Sequence, residues 1–73
     1  EIIIKRVNIL VEVYEELEEI DVTINTWIWD SNMQEIDFQD EIVKTYKRKH
    51  AAVKRAKKLA QETMGANLEI VRL

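Results

Sequence analysis

Two stretches of the chain alternate apolar and polar residues with a period of two. In the first, Val7, Ile9, Val11 and Val13 alternate with Asn8, Leu10, Glu12 and Tyr14. In the second, Ile20, Val22, Ile24, Thr26 and Ile28 alternate with Asp21, Thr23, Asn25, Trp27 and Trp29. Successive side chains of a strand point to opposite faces, so this spacing, rich in β-branched residues, predicts two strands that form a hairpin. The connection Glu15-Glu16-Leu17-Glu18-Glu19 lacks the Asn-Gly or Asp-Gly of the tightest turns, and a longer loop is expected. A helix over residues 10 to 20 is the rival reading, since Leu10, Val13, Tyr14, Leu17 and Ile20 also fit helical spacing and glutamate favours helix.

From Asp37 or Asp40, either of which suits an N-cap, the pattern predicts a helix running to Met64. Gly65, the only glycine, stands where a left-handed residue ends a helix. At 100° per residue, Phe38, Ile42, Thr45, Tyr46, Ala52, Val53, Ala56, Leu59, Ala60 and Thr63 share one side, which should face a sheet, with Lys49 an odd cation in the same stripe. A closing strand is expected from Leu68 to Arg72. The predicted fold is therefore α+β, a single domain over 1–73 with β-β-α-β order. Its three-stranded sheet has one long helix packed on one face, and the last strand runs parallel to a hairpin strand.

Charge changes this picture by dividing the chain. Up to residue 42, two lysines and arginines stand against twelve aspartates and glutamates, a net of −10; beyond it nine stand against two, a net of +7. Segregation of this kind steers partners rather than doing chemistry. The side of the helix opposite the sheet reads Lys44, Lys47, Arg48, Ala51, Lys54, Arg55, Lys58 and Glu62, a basic strip of about 20 Å at 1.5 Å per residue, suited to acidic surfaces or phosphates. The overall charge of −3 is the wrong sign for a dedicated nucleic-acid binder.

One helix covers one sheet face, leaving the other to solvent or a partner. That other face should carry Leu10, Tyr14, Trp27 and Trp29, together with Glu12, Asp21 and Glu69. The carboxylates would repel a phosphate backbone, whereas tyrosine and tryptophan are enriched at the centres of protein interfaces. A protein contact is expected there, with a homodimer as the simplest form. A chain of 73 residues without cysteine has little else to stabilise it than a second subunit.

The remaining chemistry is sparse. Asp30, Asn32, Gln34 and Glu41 fall at four positions of a calcium-loop pattern, but Glu35 occupies the place of its required glycine, so an acidic turn leading into a helix cap is the reading, with no metal and no cofactor. His50 is the single histidine and has no partner set by sequence; Ser31 has no nucleophile-elbow context. An enzyme is not expected. Apolar runs are too short to span a bilayer, Ile2-Ile3-Ile4 is too short for a signal peptide, and a cytoplasmic or intracellular location is expected.

The segment Lys49-His50-Ala51-Ala52-Val53-Lys54-Arg55-Ala56 resembles the basic, alanine-rich final helix of double-stranded-RNA-binding domains, over about a fifth of the chain. That family places a helix before its three strands and ends on its last helix, whereas a strand follows here. The β-β-α-β order is similar to that of small bacteriophage proteins that inhibit host polymerases or defence complexes, a likeness of size and topology. Neither resemblance assigns a role to a residue. The expected function is thus a small interaction module, of inhibitor or accessory-subunit type, with nucleic-acid binding by the helix strip as the alternative and a designed or orphan domain without a ligand as the third reading.

Overall fold

The computed structural model describes residues 3–73; Glu1 and Ile2, and with Ile2 the start of the apolar run considered as a signal peptide, lie outside it. Five elements follow in order: β1 (Ile4–Tyr14), β2 (Glu19–Trp29), β3 (Glu35–Tyr46), α1 (Lys49–Glu62) and β4 (Asn67–Arg72). The sheet has four strands in the order β3-β2-β1-β4. Strand β1 is antiparallel to β2 and parallel to β4, and β2 is antiparallel to β3.

The hairpin predicted from period two is present, with Ile9 opposite Ile24 and Val11 opposite Val22, and the helical reading of residues 10 to 20 is excluded. Its turn closes through the Glu18 amide donating to the Glu15 carbonyl at 3.3 Å, with Glu18 at φ 52°, a left-handed conformation in the place where a tight hairpin would carry glycine. The final strand is also as predicted, and it lies parallel to β1.

The expected three-stranded sheet and β-β-α-β order are corrected to four strands and β-β-β-α-β, because residues 35 to 46 form a strand instead of the front half of a helix. Ile36, Phe38, Ile42, Val43, Thr45 and Tyr46 give this segment the composition of a strand. The exposed edge of β2 would also leave a row of backbone donors and acceptors unpaired without it. Asp37 and Asp40 are accordingly strand residues and not helix caps; Arg48 takes the N-cap position and makes no side-chain cap. The helix ends at Glu62 rather than Met64, and Gly65 adopts φ 76° in the turn that follows. The topological likeness to phage inhibitors, which rested on β-β-α-β order, does not survive this correction.

Residues paired across strands share a face. Ile9, Val11, Ile20 and Val22 point to the helix, where they meet Ala52 and Ala56 to form the buried core. Val13, Ile24, Val43, Tyr46, Val53, Leu59 and Ala60 pack around it. Alanine at 52 and 56 has no side chain beyond Cβ, so the helix axis lies close to β1 and β2. Lys49 opens the helix and is exposed, which resolves its odd place in the apolar stripe. The register slips between Val22 and Thr23, a bulge that leaves Val43 turned into the core. The molecule is a slab, 43 × 24 × 15 Å.

Two stability changes follow from this packing. Ile9→Ala removes a fully buried side chain from a core of six residues and should lower the unfolding free energy by about 3 kcal/mol in urea titration. Glu18→Gly relieves a left-handed turn residue and should raise it by about 0.5–1 kcal/mol, the strain released less the added chain entropy.

Candidate functional site

Among the described residues no element lies over the face of the sheet away from α1. Reading along β1 and its partners, its rows are Arg6, Trp27 and Phe38; Asn8, Asn25 and Asp40; Leu10, Thr23 and Ile42; then Glu12, Asp21 and Thr45, with Tyr14 and Glu19 at the far end. Strand β4 adds Asn67, Glu69 and Val71. All four residues predicted for this face, Leu10, Tyr14, Trp27 and Trp29, lie on it and are half-buried. They do not form one cluster, since the Trp27 row and the Tyr14 row are eight strand residues apart, about 26 Å.

What does cluster is the end bearing the indoles. Trp27 and Trp29 stack with centroids 5.9 Å apart and planes 8° from parallel. The Phe38 ring tilts against Trp27 at 4.3 Å between centroids, and the Arg6 guanidinium lies 5.8 Å from the Trp29 ring centre. Residues i and i+2 of one strand point the same way, which sets the two indoles side by side, and antiparallel pairing brings Phe38 and Arg6 to them from either flank. Phe38 and Arg6 were not among the predicted face residues. Phe38 was assigned to a helix, and the signal that would have placed it is the alternation of Ile36 and Phe38 with Asp37 and Gln39.

Three carboxylates of this face, those of Glu12, Asp21 and Asp40, are held by neighbours. Thr23 Oγ1, almost wholly buried at 2 % exposure, donates to Glu12 Oε1 at 2.6 Å. Thr45 Oγ1 donates to Asp21 Oδ1 at 2.7 Å, and Asn25 Nδ2 donates to Asp40. Asn67 Nδ2 reaches Asn8 Oδ1 at 3.3 Å across the parallel pair. Among the described residues no group of three or more His, Cys, Asp or Glu side chains could hold a metal ion. In the turn after β2, Asp30 Oδ1 accepts from the Asn32 and Gln34 amides at 2.9 and 3.0 Å, so this carboxylate orders the turn, and Glu41 lies in β3 outside it. Ser31 is exposed in the same turn, and His50 is exposed in the first turn of the helix.

The predicted basic strip is distributed over three parts of the chain. Lys44 belongs to β3, Lys47 and Arg48 to the bend before the helix, and Lys54, Arg55 and Lys58 to α1; all are exposed. The continuous helical strip is thus corrected to a helical half prolonged by strand and bend. Tyr46, Ala51, Lys54, Arg55, Lys57, Lys58 and Gln61 line a shallow open groove of about 510 Å³. Lys44 Nζ lies 5.3 Å from the Tyr46 ring centre. Among the described residues the one salt bridge is Arg72 to Glu15, at 3.2 Å, far from this groove in the fold's connectivity and sharing none of its residues. No helix among the described residues is long and apolar enough to cross a membrane.

Compared with the models of known families, with curated proteins and with solved structures, the chain matches none.

The titration of Tyr14 is displaced. Its partial burial, then the charge of Glu12, then Asp21 and Asp40, raise its hydroxyl above the ordinary phenol value. The folded chain therefore keeps a proton that the unfolded chain has lost, so this contribution to stability is complete below about pH 10 and disappears as pH rises through the raised value. Urea midpoints should fall more between about pH 9 and pH 11 for the parent chain than for Tyr14→Phe; equal declines would show the phenol to be uncoupled from folding.

Proposed function

We propose that this chain is a small, non-enzymatic interaction module that docks on another protein through its uncovered sheet face. The observation that carries this reading is the Trp27, Trp29 and Phe38 cluster beside Arg6, on a face that no other element covers. Tryptophan and arginine dominate the energetics of protein interfaces because each buries a large area in few rotamers. Here the rings already stack on one another, so little side-chain entropy remains to be lost on docking. Around them Asn8, Asn25 and Asp40 supply the polar surround of an interface.

The charge of the face selects the partner. Against Arg6 it sets Glu12, Glu19, Asp21, Asp40 and Glu69, so two copies face to face would bring like charges together. The expected homodimer gives way, in this reading, to a partner with an apolar centre flanked by lysine or arginine. Approach along the β3 edge is disfavoured by Glu35, Asp37, Asp40 and Glu41 and by two register irregularities, devices that guard exposed strands. An inhibitor or accessory subunit uses a surface of this kind.

The test places a photo-reactive residue at Asn25, captures the partner in its native setting, and titrates the purified partner against variants. Trp27→Ala and Phe38→Ala should each raise Kd by about 30-fold, equivalent to about 2 kcal/mol, while Lys54→Glu leaves it unchanged. The isolated chain should sediment as a monomer. A partner indifferent to both aromatic truncations, or a chain that pairs with itself through this face, would refute the reading.

A further inference from the structure

We infer that the outer face of α1, with the groove at its foot, seats a nucleic-acid duplex through its phosphates, DNA and RNA alike. This is a second surface, on the other side of the slab from the aromatic cluster, and it stands or falls separately from the function proposed above.

The fold makes little use of these cations. Helices gain from acidic residues in the first turn and basic residues in the last, and α1 has neither. Its first residue is Lys49, and Lys47 and Arg48 precede it, close to the end of the helix that repels cations. Lys54 and Arg55 have no glutamate four residues to either side, and Lys58 has one only after it, Glu62, the weaker order of the i, i+4 pair. None of these groups is in an ion pair among the described residues. Their placement burdens the fold, so the charge answers to something outside it.

The shape of the array then selects the ligand. Lys54, Arg55 and Lys58 lie within about 6 Å along the helix axis, and Lys47 and Arg48 prolong the array through the bend before it. Ala51 lies among them as a small residue that lets a backbone come close. A protein interface would centre on exposed aromatic or branched side chains, and this face offers only the Tyr46 ring at the edge of the groove. Single strands need stacking platforms, and the stacked aromatics are on the opposite face among carboxylates. The cations lie along an exposed helix face and would meet phosphates on the outer surface of a duplex of either form. Contacts to phosphates carry no sequence information directly, so binding should be indifferent to sequence.

The chain's net charge of −3 does not oppose this. The hydrogen-bonded carboxylates lie on the far face of a slab whose thinnest extent is 15 Å, whereas charges in physiological salt are screened beyond about 8 Å. A duplex on the helix therefore meets the cations and is shielded from most of the acids.

The test is fluorescence anisotropy with labelled 20-base-pair DNA and RNA duplexes of several sequences, at 50 and 200 mM salt. Binding should weaken roughly 100-fold between these salts, the slope of about four phosphate contacts, with little dependence on sequence. Lys54→Glu should weaken binding at least 10-fold at 50 mM salt, whereas Trp27→Ala leaves it unchanged. The same substitution sets a glutamate four residues before Lys58, so the melting temperature should hold or rise, which separates lost binding from lost folding. No binding at 50 mM salt, affinity independent of salt, or full affinity in Lys54→Glu would overturn the inference. Displacement of the duplex by poly-glutamate at equal charge would also overturn it, by assigning the surface to acidic proteins.

Discussion

The close approach of Ala52 and Ala56 to Ile9, Val11 and Val22 is the contact on which the rest of this molecule depends. It brings one helix down on the two central strands and leaves nothing for the remainder of the sheet. A helix of fourteen residues is about 21 Å long, whereas strands of eleven or twelve residues reach about 36 Å or more. The helix therefore covers little more than half of one face. Beyond it, the ends of β1, β2 and β3 nearest Trp29 form a single layer, and Ile36 of β3 remains exposed. The stacked indoles, Phe38 and Arg6 contact one another at that end. They thus hold the overhang together from the side opposite the helix, as well as offering a surface.

Much of the architecture was legible because period two and period 3.6 are different signals. In β1 and β2 the β-branched residues alternate without interruption, and of the alternating positions read from sequence Ile9, Val11, Ile20 and Val22 are buried. The rear of the helix was equally clear, since Ala52, Ala56, Leu59 and Ala60 fall on one side at any plausible start. Strand β3 was misread because its periodicity is broken twice by irregular register, near Val43 and near Ile36, and each break shifts the apolar positions by one. A shifted alternation imitates helical spacing over a short window. Asp37 and Asp40 then looked like caps, although Asp40 accepts from Asn25 across strands and Asp37 accepts from the Phe38 amide.

The surfaces were legible to a similar depth. Trp27 and Trp29 could be assigned to the uncovered face because strand parity alone decides it. Their partners could not, because Phe38 comes from the misread strand and Arg6 is placed by pairing register, which the sequence specifies only once the hairpin turn is known. The basic residues kept their exposure while changing their address. Lys44, Lys47 and Arg48 lie on strand and bend, yet Lys44 still turns toward the helix side, where it meets Tyr46, because its partner Val22 faces the core.

Two surfaces on opposite sides of so thin a body need not be independent. A duplex on the helix and a protein on the sheet would not touch, and screening removes most direct electrostatic coupling across 15 Å. Folding itself supplies a connection. With six buried core residues and no cross-link, the chain has small reserves of stability, and any ligand that binds only the folded form draws the equilibrium toward it. The first ligand then bears the cost of completing the fold, and the second binds a chain already ordered. The coupling this creates is positive for either order of binding and reciprocal between the sites, and it cannot exceed the free energy of the unfolded fraction it abolishes. A helix whose charges oppose its own dipole, over a core built on two alanines, adds little to that reserve, so the features that weaken the isolated chain are the ones that would let its two faces communicate.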